Sequence, residues 1–172
     1  VDCGRPAAEV KALVELGDPV TLVQSFEVMG DTLCCKAMDN RVSIWTLVRA
    51  LARVKSREVA IYAVATAQEE VGLRGALTAS HRIQPDLGVA IDVTLACDVP
   101  SAKPEQHISK LGGGVAIKLL DSSSISTPRL VRAFRELARE QGIPHQMEIL
   151  PRGGTDAGGG GIGGGGEPLA GG

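Results

Sequence analysis

Five acidic residues stand where this sequence could bind a metal ion. Each lies at the edge of a predicted strand or helix, or in a turn beyond one, and they are Asp39, Glu69, Glu70, Asp92 and Asp156. A carboxylate beside a buried element is costly unless a cation or hydrogen-bond donors compensate its charge. Divalent cations take carboxylate oxygens as ligands, and zinc adds imidazole nitrogens. We therefore predict a divalent-metal site.

Each acid also has an ordinary structural explanation when it is taken alone. An aspartate before a helix is usually a cap, and an aspartate after a strand is often a turn residue. Paired glutamates such as Glu69 and Glu70 are usually just solvated on a surface loop. The metal hypothesis gains weight because two of the acidic points follow strongly apolar strands that should lie side by side in one sheet.

The set also matches what a two-metal site needs. Two metal ions about 3.5–4 Å apart share one bridging carboxylate and take one terminal carboxylate each, while a free carboxylate accepts a proton from the bridging water. That inventory is supplied by Asp39, Glu69, Glu70 and Asp92. Consecutive residues of a strand point to opposite faces, so the two adjacent glutamates could serve different roles.

The elements that would position these acids alternate between strand and helix. Unbroken apolar runs predict strands buried on both faces, and two of them end near Glu69 and Asp92. Strands are predicted over 20–24, 26–28, 59–67, 86–93, 115–119 and 145–150. Helices are predicted over 6–16, 42–54, 72–82 and 127–141. Asp39 or Asn40 would open the second helix, as a cap or as a ligand. The order predicts the α/β class, with a mixed, largely parallel sheet flanked by helices.

Composition narrows the function classes. The 172 residues are 44% hydrophobic and 22% charged, with a net charge of −2. These values are ordinary for a globular domain and create no global field that favours nucleic acid or an anionic membrane, so we expect neither as a partner. The four cysteines form no CxxC pair, which favours reduced thiols and a cytoplasmic location.

Four sequence blocks resemble those of one enzyme family. In chain order they are 37–41 (AMDNR), 68–76 (QEEVGLRGA), 90–94 (AIDVT) and 153–157 (GGTDA). They resemble the glutamyl-aminopeptidase-like, TET-type metallo-aminopeptidases, some of which carry the label endoglucanase or cellulase M. The QEEVGLRGA block is highly specific, and the other three support it. By this resemblance the chain looks like the middle part of a zinc-exopeptidase-like fold.

The resemblance implies an enzyme that uses two divalent metal ions, zinc or cobalt, to hydrolyse N-terminal residues from peptides. Asp39 would bridge the two ions, and Glu70 and Asp92 would each bind one of them. Glu69 would be the general base that serves a metal-bridging hydroxide. These roles follow from the matching blocks and belong to the family's mechanism.

The resemblance also implies a domain organisation and an assembly. Residues 1–33 look like the end of the small β-rich dimerisation domain that the family inserts into its catalytic domain, and residues 34–172 look like the catalytic domain itself. Within it, 12 of the 20 residues of 153–172 are glycine, and we predict little regular structure there. The implied assembly is a homo-oligomer built from dimers, which in the family is usually a hollow dodecamer.

The histidines depart from the family pattern. The family completes its two metal sites with one histidine before the inserted domain and one near the C-terminus, whereas this chain has only His81, His107 and His145. None of them lies in a matching block, and all three are predicted to be surface or structural residues. An inactive fragment or non-catalytic scaffold of the same fold therefore stays open as an alternative. A glycoside hydrolase is a weaker one, because glycosidases need two carboxylates across a sugar cleft and commonly have aromatic platforms.

Overall fold

The computed structural model describes residues 2–56 and 58–159, and these fall into two compact units, Val1–Met38 and Asp39–Gly172. The helices are α1 (Ala7–Leu13), α2 (Met38–Leu51), α3 (Arg74–Ile83) and α4 (Pro128–Glu140), with 3₁₀ turns at Pro104–Gln106 and Asp156–Gly158. The strands are β1 (Glu27–Met29), β2 (Thr32–Cys34), β3 (Val115–Leu120) and β4 (His145–Ile149). The predicted α/β class is confirmed, and all four predicted helices are present.

The first unit holds α1 and an antiparallel hairpin. Met29 of β1 pairs with Thr32 of β2, so the loop consists of Gly30 and Asp31 alone. Gly30 has a φ of +60°, the left-handed conformation that a two-residue hairpin loop with glycine first requires. The predicted turn is therefore confirmed. Residues 20–24 form no strand in the part of the chain that is described.

The second unit is built around a parallel β3–α4–β4 crossover. Val115 of β3 is in register with His145 of β4, and the pairing continues to the ends of both strands with one irregularity after Lys118. Helix α4 begins at Pro128, as the sequence predicts, because proline suits the first helical position. The helix buries Val131 and Ala138, two turns apart on one face, and packs against β3.

Two strands expected beside the acids are not strands in the structure. Residues 59–67 and 86–93 have no ladder partner among the described residues, and their apolar side chains are largely exposed, for example Val59 at 69% and Leu87 at 60%. The prediction of doubly buried strands was wrong for this reason. An apolar run shows that a segment suits a buried sheet, but pairing is decided by neighbours that the run itself does not specify.

The buried core of the described residues is small and half polar. Its apolar members are Ala76, Ile117, Val131, Ala138 and Leu150. Its polar members are Ser43, Ser80, Asp121, Glu148 and Thr155. Buried polar side chains must be hydrogen-bonded or paired to be tolerated, so the second set needs its own account.

Two surface features complete the description. Cys3 is exposed and the other three cysteines, Cys34, Cys35 and Cys97, are half-buried, and none is joined to another. No helix within the described residues has the length and apolar character that crossing a membrane would need.

Candidate metal centre

The five acids meet in one cleft of the second unit. The cleft has a volume of about 410 Å³ and is lined by all of the predicted acidic residues, Asp39, Glu69, Glu70, Asp92 and Asp156. Its apolar wall includes Ile44 and Leu47 of α2 and Ile83 of α3. The sequence therefore identified residues that the fold brings to the same place, although they are up to 117 positions apart along the chain.

Asp39 and Asn40 lie at the irregular start of α2. Both have non-helical backbone angles, and the peptide bond that joins them is cis. The side-chain oxygen of Asn40 accepts the backbone N–H of Ser43 at 3.2 Å, so Asn40 is the residue that caps the regular part of the helix. Asp39 is thereby left exposed at the cleft, with its carboxylate free of the capping role.

Asp92 is oriented by two donors on the same oxygen. Its Oδ1 accepts Asn40 Nδ2 at 2.6 Å and the backbone N–H of Val93 at 2.8 Å. No described residue donates to Oδ2, which leaves that oxygen available to a ligand in the cleft. A carboxylate held through one oxygen and open at the other is what a terminal metal ligand requires.

Glu69 and Glu70 lie in a closed loop, not at the end of a strand as predicted. The loop is pinned at its base by the backbone N–H of Gly75, which donates to Ala67 O at 3.0 Å, and within it Leu73 N donates to Glu69 O at 3.0 Å. Glu69 is half-buried and Glu70 is exposed. The two glutamates therefore differ in exposure, as expected. The difference arises from the turn in which they lie, and not from the alternation of side chains along a strand.

Asp156 opens the last 3₁₀ turn and is tied to the segment that leads into the glutamate loop. The hydroxyl of Thr66 donates to Asp156 Oδ2 in a short contact. Asp156 Oδ1 is buried and has no hydrogen-bond partner among the described residues. A buried anionic oxygen without a donor costs free energy, and a bound cation is the partner that would compensate it.

Mutual repulsion and burial raise two pKa values in the cleft. The pKa of Glu69 lies above its ordinary value, first because the carboxyl is partly buried and then because of the charges of Asp92, Glu70, Asp156 and Asp39. Burial likewise raises the pKa of Asp92, against the lowering effect of the Val93 N–H. The carboxylates thus act on one another electrostatically, and a cation would relieve the repulsion.

The side chains of the cleft are of the types that bind a divalent cation, but they do not lie close enough together to form a complete ligand set. The donors are hard carboxylate oxygens, and Asp156 Oδ1 lacks a partner, as a cation site would leave it. However, no group of three acid, histidine or cysteine side chains converges closely enough to hold a metal ion within residues 2–56 and 58–159. The structure therefore supplies a set of convergent acids without a closed ligand shell.

The three histidines lie away from the acids. His81 is exposed on α3, His107 is exposed after the 3₁₀ turn Pro104–Gln106, and His145 is half-buried at the start of β4, where its Nδ1 lies 3.0 Å from Ile143 O. None of the three lines the cleft. These positions agree with the prediction that they are surface or structural residues, and the cleft has no imidazole from them.

Sequence reasoning missed two features of the site. Thr66, which binds Asp156, was counted as part of an apolar run, although it carries the one hydroxyl of 63–67. The buried Lys118–Glu148 pair was read as part of two ordinary strands. The available signal was one charged residue within each apolar strand, Lys118 and Glu148, because a buried charge is tolerated only with a compensating partner.

Comparisons with known proteins agree on one family. Residues 1–170 match the model of the M42 glutamyl aminopeptidase family. A putative aminopeptidase of Acetivibrio thermocellus is 42% identical over 159 residues, which are 92% of this chain and 48% of that protein. The chain spans about half the length of curated relatives that it matches.

Solved structures give the same result at the level of the fold. An aminopeptidase from the archaeon Desulfurococcus kamchatkensis matches with a TM-score of 0.79 and 35% identity, covering 88% of this chain and 44% of that one. The TET1 peptidase of Pyrococcus horikoshii, described as able to assemble into a tetrahedron or a large octahedral shell, matches with a TM-score of 0.66 and 28% identity, covering 88% and 45%. The chain belongs to the M42 glutamyl aminopeptidase family.

Proposed function

We propose that this chain supplies the carboxylate part of the active site of a metal-dependent aminopeptidase that removes N-terminal residues from peptides. Asp39 is proposed to bridge two divalent metal ions, zinc or cobalt, and Glu70 and Asp92 to bind one ion each. Glu69 is proposed as the general base. The observation that carries the proposal is the convergence of five carboxylates on one cleft, one of which has a buried oxygen without a partner.

The proposed chemistry divides between the ions and the chain. Divalent ions held by Asp39, Glu70 and Asp92 would supply Lewis-acid chemistry, which would polarise the peptide carbonyl and make an attacking water more acidic. Glu69 accepts the proton of that water and passes it to the leaving amine, and a raised pKa suits this role because it makes the carboxylate a stronger base.

The domain organisation and the assembly stay proposals. We propose that residues 1–33 belong to a dimerisation domain and that 34–172 belong to the catalytic domain, and we propose a homo-oligomer built from dimers, a dodecamer in its usual form. The P. horikoshii peptidase, which is described as able to assemble into a tetrahedron or a large octahedral shell, supports the assembly by analogy. A cytoplasmic location rests on the unpaired cysteines alone. The predicted end of the first domain differs from the boundary of the two compact units, which lies after Met38.

The experiment is a comparison of Glu69→Gln with Glu140→Gln in peptide hydrolysis, with zinc or cobalt added. Glu69→Gln removes the proposed base but keeps its size, and the loss expected for such a group is about 10²- to 10⁴-fold in kcat. Glu140 is an exposed residue at the end of α4, so its variant should match the parent. Hydrolysis by Glu69→Gln at the parental rate would show that this glutamate is not the base.

A second candidate function, a non-catalytic scaffold of the same fold, is favoured by two observations. The described residues bring no three donor side chains to metal-binding distance, and the histidines lie outside the cleft. Metal analysis separates the two functions, since tight binding near two ions per chain excludes the scaffold. The glycoside hydrolase alternative gains no support, because the relatives reported above are named aminopeptidases or TET peptidases.

A further inference from the structure

A buried cluster of charged side chains lies outside the lining of the acidic cleft. Its centre is Lys118 of β3, whose Nζ lies 3.2 Å from Glu148 Oε1 and 3.6 Å from Asp121 Oδ2. Glu148 is 2% exposed and Asp121 is 5% exposed. Carboxylates are buried this deeply only when a cation and hydrogen-bond donors compensate them, so the three residues form one unit.

One arm of the cluster reaches the segment that carries Asp92. Lys118 and Glu148 are register partners in the parallel β3–β4 pair, which places their side chains on the same face of the sheet. The hydroxyl of Thr94 donates to Glu148 Oε1 at 2.7 Å. Because Thr94 is two residues after Asp92, this bond holds the chain immediately beyond the proposed ligand.

The other arm reaches the segment that carries Asp156. The hydroxyl of Thr155, which is 4% exposed, donates to Asp121 Oδ2 at 3.2 Å. Asp121 is itself held by the backbone N–H groups of Ser123 and Ser124, each at 2.8 Å from Oδ1. Asp121 is therefore a fixed anchor, and the residue next to Asp156 is attached to it.

We propose that the cluster of Lys118, Asp121 and Glu148 positions the segments that line the acidic cleft. The positive charge of Lys118 pairs with both buried carboxylates. Each carboxylate also accepts a hydrogen bond from a threonine hydroxyl, one next to Asp156 and one two residues after Asp92. The cluster thereby fixes the separation of the segments that end in Asp92 and Asp156. The link to catalysis rests on the proposed function, since it matters only if Asp92 is a metal ligand.

A charged cluster differs from an apolar one here because it fixes the orientations of the Glu148 and Asp121 carboxylates. An apolar side chain in place of Lys118 would fill the same volume, and buried ion pairs often contribute little net stability over such replacements. An apolar side chain would not, however, hold Glu148 and Asp121 in the orientations that their threonine donors need. Outer partners of metal ligands act in the same way, by restricting orientation.

The test removes the two connecting hydroxyls and leaves the ion pairs intact. Thr94→Val and Thr155→Val each delete one arm, and Thr94→Ser restores the hydroxyl of the first arm. Thr46→Val is the matched control, because Thr46 is exposed on α2 and its hydroxyl bonds only to Val42 O. Two quantities are measured in the full chain: hydrogen–deuterium exchange of 90–96 and 153–159, and the affinity for Co²⁺ by titration.

We expect Thr94→Val to speed exchange in 90–96 and Thr155→Val to speed exchange in 153–159. Both variants should also weaken Co²⁺ binding about tenfold, which is the lower end of the effect of losing an outer partner of a metal ligand. Thr94→Ser and Thr46→Val should stay within about twofold of the parent in both measurements, as changes that leave the connections intact. Unchanged exchange in the two valine variants would overturn the proposal. Faster exchange with unchanged Co²⁺ affinity would also overturn it, because the cluster would then be structural only.

The same experiment separates this proposal from the proposed function. If the parent chain binds no Co²⁺, the metal-binding function fails, and the exchange measurements then decide only whether the two threonine bonds hold their segments in place. Faster local exchange in both valine variants would then support the cluster as the device that holds the two segments. Exchange equal to that of Thr46→Val would reject it.

Discussion

Asn40 Nδ2 donates to Asp92 Oδ1 at 2.6 Å, and this bond joins the start of α2 to the segment of a proposed metal ligand. The same amide accepts the backbone N–H of Ser43 and also donates to Ile91 O at 3.3 Å. One side chain therefore caps a helix and orients an acid. The start of α2 and the acid-bearing segment of the cleft are therefore joined through this side chain.

Two variants of Asn40 should separate its capping of α2 from its orientation of Asp92. Asn40→Ala should lower the free energy of unfolding by about 1 kcal/mol, the usual cost of a lost cap. Asn40→Ser should change stability by only a few tenths of a kcal/mol, because serine caps as well as asparagine. Both should weaken divalent-metal binding about tenfold, since neither side chain can hold Asp92. Urea unfolding and metal titration measure the two effects, and unchanged metal affinity in Asn40→Ser would refute the orienting role.

The glutamate loop depends on a close backbone approach at Gly75. A Cβ at this position would overlap the carbonyl oxygen of Ala67 and lie 2.6 Å from its nitrogen. Gly75→Ala should therefore displace the loop that carries Glu69 and Glu70 and weaken metal binding. Gly142→Ala is the control: a Cβ at Gly142 meets no atom within 4 Å, and its φ of +63° costs about 1 kcal/mol of strain alone. If both variants lose equal stability and keep parental metal affinity, the loop has no positioning role.

Thr66 supplies the hydroxyl that binds Asp156 Oδ2. Thr66→Val keeps the shape but leaves both oxygens of Asp156 without a described donor, and an unsatisfied buried acceptor costs about 1–3 kcal/mol. We expect this loss in the metal-free protein and a smaller one with Co²⁺ present, because a cation compensates the same carboxylate. Chemical denaturation with and without the ion measures the difference. A loss that Co²⁺ leaves unchanged would argue against a cation at Asp156.

The stability of the metal-free protein should depend on pH in a particular direction. Burial and neighbouring carboxylates raise the folded-state pKa of Glu69 and Asp92, so the folded state binds protons there before the unfolded state does. Their contribution to the free energy of unfolding therefore increases as the pH falls from neutral through the raised pKa values. Urea unfolding at a series of pH values should show this rise, and Asp92→Asn should flatten it.

Asp121 should have the opposite effect on the free energy of unfolding at low pH. Burial acts to raise the pKa of Asp121, but hydrogen bonds from Ser123, the charge of Lys118 and the Ser124 N–H together outweigh it and lower the pKa. The stability that this carboxylate contributes is present above its unfolded pKa and is lost as the pH falls through its lowered folded pKa. Stability should therefore pass through a maximum on the acidic side of neutral. A steady fall from pH 7 downward would contradict the repulsion inferred in the cleft.

The sequence predicted the helices, the β3–α4–β4 unit and the membership of the acidic set. These features are local: capping residues, proline at the first turn of α4, and motif blocks that fix residue types. The strands over 59–67 and 86–93 were not found, because strand formation depends on partners far along the chain. Glu69 and Glu70 were consequently placed at a strand end, whereas the backbone closes a loop at Gly75.

The buried supports of the site were the hardest part to predict. Lys118 and Glu148 interrupt apolar strands, but only the register of β3 against β4 shows that they face each other. The link from Thr94 to Glu148 joins residues 54 positions apart, so no local pattern reports it. The acids could be predicted from the sequence, but only the fold shows which residues hold their segments in place.

The most direct test of the account is equilibrium binding of Co²⁺ to the parent chain, to Asp92→Asn and to Asp31→Asn. Asp31 is an exposed residue in the hairpin turn of the first unit, so its variant controls for the lost charge. We predict saturable binding to the parent and to Asp31→Asn, and binding weakened at least tenfold in Asp92→Asn, as expected for the loss of a direct ligand. Equal binding by all three proteins, or no binding by any of them, would contradict the claim that these acids form a metal site.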